Sequence, residues 1–378
     1  MGEVNILQIG TEKGSKGCEV MLNIRSNPAY QQQIKDCAEA SLEWSLLQNK
    51  RLLITGATGM IGVFLIDVLM ERNKKYGDNI RIVALSREED KIRQRLGTYL
   101  ENQSFTFLKH DVQQPITRDM LPEDMDYIIH GASNTHPVQY TLDPVGTIEA
   151  NVTGTKNLLE LTALMPHCRL VFLSSVEIYG ENRGDTEEFT ESYCGYIDCN
   201  TLRACYTEGK RLGETLCQAY IATRGIDVVI PRLCRVYGPT MLLTDTKAIS
   251  QLIKKAVAGE DIVLKSEGMQ LYSYLYVADI VTAILTLLLK GETGEAYNVA
   301  DRSSNSSLRE LAQYLANLSN REVVYELPSE LESRGYSTAT KALLNPDKLI
   351  ALGWNSRYTL EEGLKLTYEM LKEARSMD

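Results

Sequence analysis

Tyr206 and Lys210 stand four residues apart in a stretch whose apolar residues recur at helical spacing. Residues at i and i+4 share one face of a helix, so the phenol and the ammonium are expected to lie side by side. A free tyrosine has a pKa of about 10, which is too high for a base at neutral pH. Because a neighbouring ammonium favours the phenolate, it would lower the pKa of Tyr206. The pair is a candidate for proton transfer, although the same spacing also occurs on helices without chemistry.

A glycine-rich turn is the second candidate. Residues 51–62 read RLLITGATGMIG: an apolar run typical of a buried strand, then glycines at the spacing G-x-x-G-x-x-G, followed by an amphipathic helical pattern. A strand that turns directly into a helix aims backbone N–H groups and the positive helix end at one point, which suits a pyrophosphate. The pattern therefore predicts a dinucleotide site. Its predicted contacts are Gly56, Thr58, Gly59, Met60, Ile61 and Gly62.

Ser175 and Glu177 belong to a third pattern, at the end of the apolar run RLVFLSS. Ser175 ends this predicted strand, and the carboxyl ends of parallel strands meet at one edge of a sheet. We therefore expect its hydroxyl to face the same edge as the glycine-rich turn. Glu177 would add a carboxylate there, although a solvent-exposed loop carboxylate is the alternative interpretation.

The elements that must position these groups alternate regularly from residue 51 onward. Predicted strands and helices follow one another as LLIT, helix 61–75, IRIVAL, helix 87–101, FTFLKHD, YIIHGAS, helix 146–165 and RLVFLSS. This alternation predicts an α/β protein built on a doubly wound parallel sheet. Right-handed crossovers place the carboxyl ends of its strands along one edge, where cofactor and substrate should meet.

Three regions are expected around this sheet. Residues 1–50 form an N-terminal extension, whose second half has helical periodicity and would pack on the domain that follows. The dinucleotide-binding domain covers residues 51–238 and is joined by about 271–300. The more polar residues 239–270 and 301–378 form a smaller α/β C-terminal lobe for the substrate.

The composition of the 378 residues limits the partners. With 40 basic and 50 acidic residues the net charge is −10, which disfavours nucleic acid and anionic membranes. No apolar run reaches membrane-spanning length and the N-terminus lacks a signal-peptide core, so we expect a cytoplasmic protein. No C-x-x-C pair occurs, and Cys194, Cys199 and Cys205 have no histidine nearby, so neither disulfides nor a metal site is expected.

Several motifs occur together in the order found in one known family. They are TGATGMIG, HGAS at 130–133, NVTGTKNLLE at 151–160, LSSVEIYG at 173–180, Tyr206-x-x-x-Lys210, PRLCRVYGP at 231–239 and YVAD at 276–279. Roughly residues 50–355 thereby resemble the extended short-chain dehydrogenase/reductases that act on nucleotide sugars as epimerases, dehydratases and decarboxylases. The resemblance implies a Rossmann domain, a tightly bound NAD or NADP, and a nucleoside-diphosphate sugar as substrate.

Catalytic roles follow from the same resemblance. Ser175 matches the catalytic hydroxyl, Tyr206 the proton-transferring phenol, and Lys210 the residue that binds the nicotinamide ribose and lowers the tyrosine pKa. In that family the bound dinucleotide accepts a hydride from carbon 4 of the sugar while the phenolate takes the proton of the 4-hydroxyl. The resulting ketone acidifies carbon 5 or destabilises a carboxylate there, and the hydride is finally returned.

The reaction between the two hydride transfers depends on residues 176 and 177. Dehydratases of the family typically have Asp-Glu after the catalytic Ser or Thr, whereas this chain has Val176-Glu177. The missing Asp argues against a standard 4,6-dehydratase, and the retained carboxylate argues against a simple 4-epimerase. UDP-glucuronate decarboxylases keep a Glu here, and RACYTEGKR at 203–211 is similar to their segment. Decarboxylation of a UDP-hexuronate is therefore the leading reaction, with dehydration or epimerisation as the alternative.

Two other classes stay open. A 4-keto-sugar reductase would consume NADPH and release the cofactor in each cycle, and a non-catalytic dinucleotide sensor would share the fold. The complete Ser–Tyr–Lys set favours an enzyme. Relatives commonly pair through a four-helix bundle that includes the Tyr/Lys helix, so the resemblance also implies a homodimer.

Substrate contacts are expected from Ser133, Asn134, Tyr179, Arg235 and Tyr272. Two of them depart from the family pattern. Arg235 stands where many relatives have Asn before V-Y-G-P, and Tyr272 stands where decarboxylases have an Arg before Y-V-x-D. We hypothesise that Arg235 binds the pyrophosphate in place of the lost arginine, because a guanidinium fits phosphate bidentately.

The cofactor preference depends on the end of the second predicted strand, where NAD enzymes place an acidic residue against the ribose 2′-hydroxyl. This chain has Ser86-Arg87, which does not repel a 2′-phosphate and offers it a cation. NADP is therefore modestly favoured over NAD. The remaining predicted cofactor contacts are Asp111, Val112, Ala132 and Asn151.

Overall fold

The computed structural model describes Met21, residues 24–326 and residues 340–376. The helices are α1 (Pro28–Ala38), α2 (Met60–Tyr76), α3 (Glu89–Leu96), α4 (Pro137–Leu142), α5 (Pro144–Ala163), α6 (Ala204–Arg224), α7 (Ala248–Ala258), α8 (Val277–Lys290), α9 (Leu308–Ser319), α10 (Asp347–Ile350) and α11 (Leu360–Ser376). The strands are β1 (Arg51–Thr55), β2 (Arg81–Ser86), β3 (Phe105–Lys109), β4 (Tyr127–His130), β5 (Arg169–Phe172), β6 (Ser174–Ser175), β7 (Asp227–Leu233), β8 (Arg235–Tyr237), β9 (Ile262–Leu264), β10 (Leu271–Tyr276), β11 (Ala296–Val299), β12 (Asn305–Ser307), β13 (Val323–Tyr325) and β14 (Lys341–Ala342).

A parallel sheet forms the centre of the molecule. Its strands lie in the order β11-β7-β5-β4-β1-β2-β3, with β6 beside β7, and every pair is parallel. Strand β1 is apolar without alternation because both faces of the sheet are covered, and Leu52, Leu53 and Ile54 are fully buried. The doubly wound parallel sheet predicted from the alternation is confirmed.

Several element boundaries agree with the sequence pattern and two helices are shorter than predicted. Helix α2 covers Met60–Tyr76, within one residue of the predicted helix 61–75 at each end. Helix α3 ends at Leu96, where Gly97 begins a 3₁₀ turn instead of continuing to residue 101. Helix α1 ends at Ala38, and the chain then makes a separate 3₁₀ turn at Trp44–Leu47. The Trp44 indole N–H donates to the Ala40 carbonyl (2.9 Å), which fixes the break.

The described part of the N-terminal region packs on the central domain. Helix α1 lies against α2, where the Tyr30 ring meets the Phe64 ring edge-on with centroids 5.6 Å apart. The buried carboxylate of Asp67 accepts hydrogen bonds from Arg25 (3.1 Å) and from the hydroxyl of Tyr30 (2.6 Å). Tyr99 donates to the same carboxylate (2.8 Å), so one buried anion ties α1 to the domain. Residues 1–20, 22 and 23 of the expected extension 1–50 lie outside the described residues.

The smaller lobe contains two short sheets. One has the order β12-β10-β14 with β8 beside β10, and the other pairs β13 with β9. Strand β8 lies within the range predicted for the dinucleotide domain, and β10 within the range predicted to return to it. The two strands pair with each other, and β10 also pairs with β12 and β14, so neither strand joins the central sheet. The return begins instead at α8, after which β11 pairs with β7.

Among the described residues, no helix combines the length and the apolar character that crossing a bilayer requires. The cytoplasmic location expected from the sequence stays a prediction.

Candidate active site

A cavity of about 980 Å³ opens at the carboxyl edge of the central sheet and extends into the smaller lobe. The turns that follow β1, β2 and β4 line one end of it, and residues around β9 line the other. Every site residue predicted from the sequence lines this cavity except Asn151 and Tyr179. The predicted residues thus lie along one cavity although their segments are far apart in the chain.

The glycine-rich turn leaves no room for a side chain at Gly56 or Gly62. Gly56 has a φ of +69°, and a Cβ there would lie 2.6 Å from the Gly131 carbonyl. A Cβ on Gly62 would lie 2.5 Å from the Gly56 oxygen. Gly59 precedes α2 without a side-chain cap, so the first N–H groups of the helix stay available to a ligand. A dinucleotide pyrophosphate fits this cradle.

His130, at the end of β4, has a structural role. Its Nδ1 lies 2.8 Å from Thr55 Oγ1 and its Nε2 lies 3.2 Å from Thr155 Oγ1. Burial lowers the pKa of His130 to about 3, so the imidazole is neutral. Thr55 Oγ1 also accepts the Ala132 N–H (3.2 Å), and this network shapes the edge of the sheet beside the cavity.

Asn151 lies behind the cavity wall and contacts Ser133, which lines the cavity. It is fully buried, its Oδ1 accepts the Ser133 hydroxyl (2.9 Å), and its Nδ2 donates to the Thr147 carbonyl (2.8 Å). Asn134 donates to Thr147 Oγ1 (3.3 Å). The structure therefore places Ser133 and Asn134 in the cavity wall and Asn151 behind them, so Asn151 orients Ser133.

The arm of the cavity beyond the glycine turn carries the residues expected at the adenosine end. The Arg87 guanidinium lies 3.8 Å from the Asp111 carboxylate, and both groups are partly exposed. Glu88 also lines this arm, where it pairs with Lys91 (2.5 Å). Arg87 and Glu88 follow β2 and Asp111 follows the neighbouring strand β3, where they could meet a ribose or its phosphate.

Ser175, Tyr206 and Lys210 line the same cavity as the glycine-rich turn. Ser175 ends β6, and its hydroxyl oxygen accepts the Glu177 N–H (3.2 Å). Lys210 donates to the Leu173 carbonyl (2.8 Å) from the same side of α6 as Tyr206. These bonds fix the hydroxyl and the ammonium beside the end of the central strands.

Burial has the largest effect on the pKa values of Tyr206 and Lys210. It raises the pKa of Tyr206 to about 12, while the Ser175 hydroxyl and the Arg203 guanidinium act in the opposite direction. Burial also lowers the pKa of Lys210 to about 8. The pKa of Tyr206 is thus raised in the structure, whereas the i, i+4 spacing alone predicted that Lys210 would lower it. The reason is that the phenol is deeply buried and the ammonium is directed at Leu173.

Two arginines hold Glu177. Arg203 Nη2 donates to one oxygen (2.7 Å), and Arg235 Nη2 lies 3.4 Å from the other. The guanidinium carbon of Arg235 lies 3.4 Å from the centroid of the Tyr272 ring, so Arg235 on β8 stacks on the ring of Tyr272 on the neighbouring strand β10. The hypothesis that Arg235 binds pyrophosphate did not anticipate its contact with Glu177.

Tyr179 lies outside the cavity lining. It is fully buried, its hydroxyl donates to Asn298 Oδ1 (2.6 Å) and accepts from Arg232 (2.9 Å), and its ring stacks on Phe189. These contacts saturate the side chain inside the protein. They correct the expectation that Tyr179 contacts the sugar.

Sequence reasoning missed Arg203 and Tyr140. The Tyr140 ring stacks on the Tyr206 ring, and Arg203 lies 4.8 Å above the Tyr140 ring. Arg203 had a usable signal, because it directly precedes the Tyr/Lys helix. Tyr140 had none beyond its position shortly after the fourth strand. His136, in the same segment, meets Asp245 (3.1 Å) across the cavity.

A glycine-rich turn facing a Tyr/Lys helix across the edge of a doubly wound sheet is the arrangement of the extended short-chain dehydrogenase/reductases. Residues 52–300 match the sequence model of the NAD dependent epimerase/dehydratase family. The chain belongs to this family of enzymes, which confirms the resemblance read from the motifs.

Individual relatives agree with this membership. The chain is 33% identical over 328 residues to UDP-glucuronic acid decarboxylase 6 of Arabidopsis thaliana, covering 85% of this chain and 88% of that protein. A UDP-glucuronic acid 4-epimerase from Bacillus cereus, solved with UDP-glucuronic acid and NAD, superimposes with a TM-score of 0.73 at 21% identity, covering 85% of this chain and 99% of that one. DesIV, a dTDP-glucose 4,6-dehydratase from Streptomyces venezuelae, gives a TM-score of 0.73 at 24% identity, covering 86% and 98%.

Proposed function

We propose that this enzyme decarboxylates a UDP-hexuronate, with UDP-glucuronate as the first candidate. The observation that carries the proposal is that Ser175, Glu177 and Tyr206 line one cavity together with the glycine-rich turn. The relatives named UDP-glucuronic acid decarboxylases support it, because they match most of the chain. A 4,6-dehydratase would need an additional acid where Val176 stands.

In this reaction the residues of the site have separate roles. The glycine-rich turn and Lys210 would hold a nicotinamide dinucleotide, which supplies a hydride acceptor at carbon 4 and later returns the hydride. Burial keeps Tyr206 protonated in the free protein, and the positive charges of Lys210 and of a bound oxidised nicotinamide would favour its phenolate. Tyr206 then removes the proton of the 4-hydroxyl, and Ser175 hydrogen-bonds to the same oxygen. A 4-ketone is β to the carboxylate, so the electron pair of the breaking C5–C6 bond is taken up as an enolate while CO₂ leaves. Protonation at carbon 5 restores the ketone.

The test is product mass after incubation with UDP-, dTDP-, GDP- and CDP-sugars. Loss of CO₂ from UDP-glucuronate is the expected result. Loss of water would indicate a dehydratase, unchanged mass with a new sugar would indicate an epimerase, and net consumption of NADPH would indicate a reductase. Tyr206→Phe should lower kcat by at least about 100-fold, the range for a lost proton-transfer group. Tyr220→Phe is the matched control, because Tyr220 lies on the same helix and bonds Glu160 outside the cavity.

For the cofactor we propose a modest preference for NADP over NAD. Ser86 and Arg87 at the end of β2 support it, because neither repels a 2′-phosphate and Arg87 is half exposed. Titration of the purified protein with each dinucleotide tests the preference. Arg87→Glu should reverse it, and equal affinity of the unaltered protein for both dinucleotides would contradict it.

We also propose that the enzyme is a homodimer. Helices α5 and α6 pack side by side, and Val145, Ile148 and Leu212 on them are large apolar side chains exposed to solvent. A second copy would cover them and complete a four-helix bundle. Sedimentation should give twice the chain mass, and Ile148→Glu combined with Leu212→Glu should yield the monomer.

A further inference from the structure

Arg235 is held in one plane by its neighbour on the adjacent strand. Its guanidinium carbon lies 3.4 Å from the centroid of the Tyr272 ring, and β8 runs parallel to β10 with Arg235 opposite Tyr274. Stacking covers one face of the guanidinium and leaves its N–H edge to act. That edge is directed at Glu177, with Nη2 3.4 Å from Oε1.

This end of the cavity carries more positive than negative charge. Arg203 and Arg235 bind opposite oxygens of the single carboxylate of Glu177, and all three side chains are less than one-fifth exposed. Arg203 Nε and Nη1 and Arg235 Nη1 are buried without a hydrogen-bond partner in the described parts of the chain. Because an uncompensated charge is costly in a partly buried site, this arrangement favours an anionic ligand.

The position of the cluster indicates which part of a ligand it would meet. The guanidinium carbon of Arg203 lies 5.8 Å from the centroid of the Tyr206 ring. In the proposed function carbon 4 of the sugar lies at Tyr206, and a carboxylate carbon on carbon 5 is two bonds, about 2.5 Å, away from it. A carboxylate on carbon 5 would thus come within reach of Arg203, and of Arg235 across the shared Glu177, whereas the diphosphate is attached across the sugar ring from carbon 4.

We propose that Arg235, stacked flat on Tyr272, binds the carboxylate on carbon 5 of the sugar together with Arg203, and thereby selects acidic over neutral nucleotide sugars. This assignment rests on the proposed function for the placement of the sugar. It replaces the hypothesis that Arg235 binds the pyrophosphate. A guanidinium that presents two N–H groups in one plane matches a carboxylate and gives nothing comparable to a hydroxymethyl group.

The experiment measures affinity, so it does not depend on turnover. Isothermal titration of UDP-glucuronate and UDP-glucose is performed on the protein saturated with the reduced form of its preferred dinucleotide, which cannot accept a hydride, so no turnover occurs during the measurement. The protein should bind UDP-glucuronate at least tenfold more tightly than UDP-glucose. Arg235→Gln should bring the ratio below threefold, chiefly by weakening UDP-glucuronate, while UDP-glucose affinity changes less than threefold. Arg93→Gln, an exposed arginine on α3 outside the cavity, is the matched control and should keep the ratio.

Each of the following results would overturn the proposal. If the unaltered protein binds UDP-glucuronate and UDP-glucose equally well, or Arg235→Gln keeps the ratio of the two affinities, Arg235 does not recognise the carboxylate. If Arg235→Gln weakens both ligands equally, it binds the shared UDP moiety. Should that variant fail to fold, Arg235→Lys retains the charge without the planar pair of donors and should lower the ratio at least threefold; an unchanged ratio would equally contradict the proposal. Failure of decarboxylation appears separately, in product mass, and leaves the affinity ratio unaffected.

Discussion

The ring of Tyr140 stacks on the ring of Tyr206 with centroids 4.9 Å apart and planes inclined by 23°. Tyr140 lies on α4, just before the helix that packs on α6, so the contact joins two elements that are distant in sequence. Arg203 lies over both rings. This stack limits the rotation of the Tyr206 ring and holds its hydroxyl at one place in the cavity.

Tyr140→Leu should therefore lower kcat by about tenfold with little change in KM, because a loosened phenol is more often misplaced for proton transfer. Tyr140→Phe keeps the ring and should stay within about threefold of the unaltered enzyme. Steady-state kinetics of both variants decide the matter. If Tyr140→Phe lowers kcat as much as Tyr140→Leu does, the Tyr140 hydroxyl, rather than the ring stacking, supports catalysis.

Glu177→Gln should destabilise the protein. Removing the charge leaves two guanidiniums facing each other in a partly buried cluster, and breaking a buried ion pair costs about 3 kcal/mol. Urea unfolding measures the loss. Glu89→Gln, which breaks the exposed pair with Arg93, is the control and should change the free energy of unfolding little. A loss no larger than that of the control would mean that solvent already screens the cluster.

The turn between β1 and α2 and the helix that carries Tyr206 and Lys210 were predictable because their determinants are local. Apolar periodicity and glycine spacing set these elements, and the parallel sheet then brings their ends to one edge. The same reasoning placed Ser175 in the cavity. A site assembled from strand ends is therefore largely readable from the sequence.

The charged cluster was not predictable, because its contacts are made between chain segments that no local pattern relates. Arg203, Arg235 and Glu177 come from three separate segments, and the pairing of β6 with β7, which sets Ser175 beside Leu233, brings Glu177 and Arg235 together. The prediction that Tyr179 contacts the sugar was wrong for the same reason. Its buried partners Asn298 and Arg232 lie far along the chain, and they decide that it faces the interior.

Lys210→Met should change the pH dependence of stability. Burial lowers the Lys210 pKa to about 8 from an ordinary 10.5, so below pH 8 the ammonium is charged in both states and the folded protein carries a penalty of about 3 kcal/mol. Between pH 8 and 10.5 the folded protein has released this proton while the unfolded chain still holds it, so the stability of the unaltered protein rises with pH. The methionine side chain does not titrate, and the stability advantage of the variant should therefore shrink by about 2 to 3 kcal/mol between pH 7 and pH 10.

Urea unfolding of both proteins at several pH values in this interval measures that difference. Other titrating groups are common to the two proteins, so their contributions cancel. A difference that stays constant from pH 7 to pH 10 would show that the Lys210 pKa is not lowered.

Gly56→Ala should weaken dinucleotide binding as well as destabilise the fold. Gly77 offers a matched comparison, because both glycines have a φ of +69° but only Gly56 is confined. A Cβ at Gly56 would lie 2.6 Å from the Gly131 carbonyl, whereas nothing lies within 4 Å of one at Gly77. Each alanine costs about 1 kcal/mol for the left-handed backbone. Gly56→Ala should lose a further 1–3 kcal/mol, roughly the cost of overpacking.

The two variants are compared by urea unfolding and by titration with the dinucleotide. Gly77→Ala should bind as the unaltered protein does, since the C-terminus of α2 is remote from the cavity. Gly56→Ala should bind at least tenfold more weakly, because relief of the clash moves the turn away from Gly131 and misdirects the N–H groups that begin α2. Equal losses in both measurements would mean that the backbone conformation alone, and not the close approach to Gly131, requires glycine at position 56.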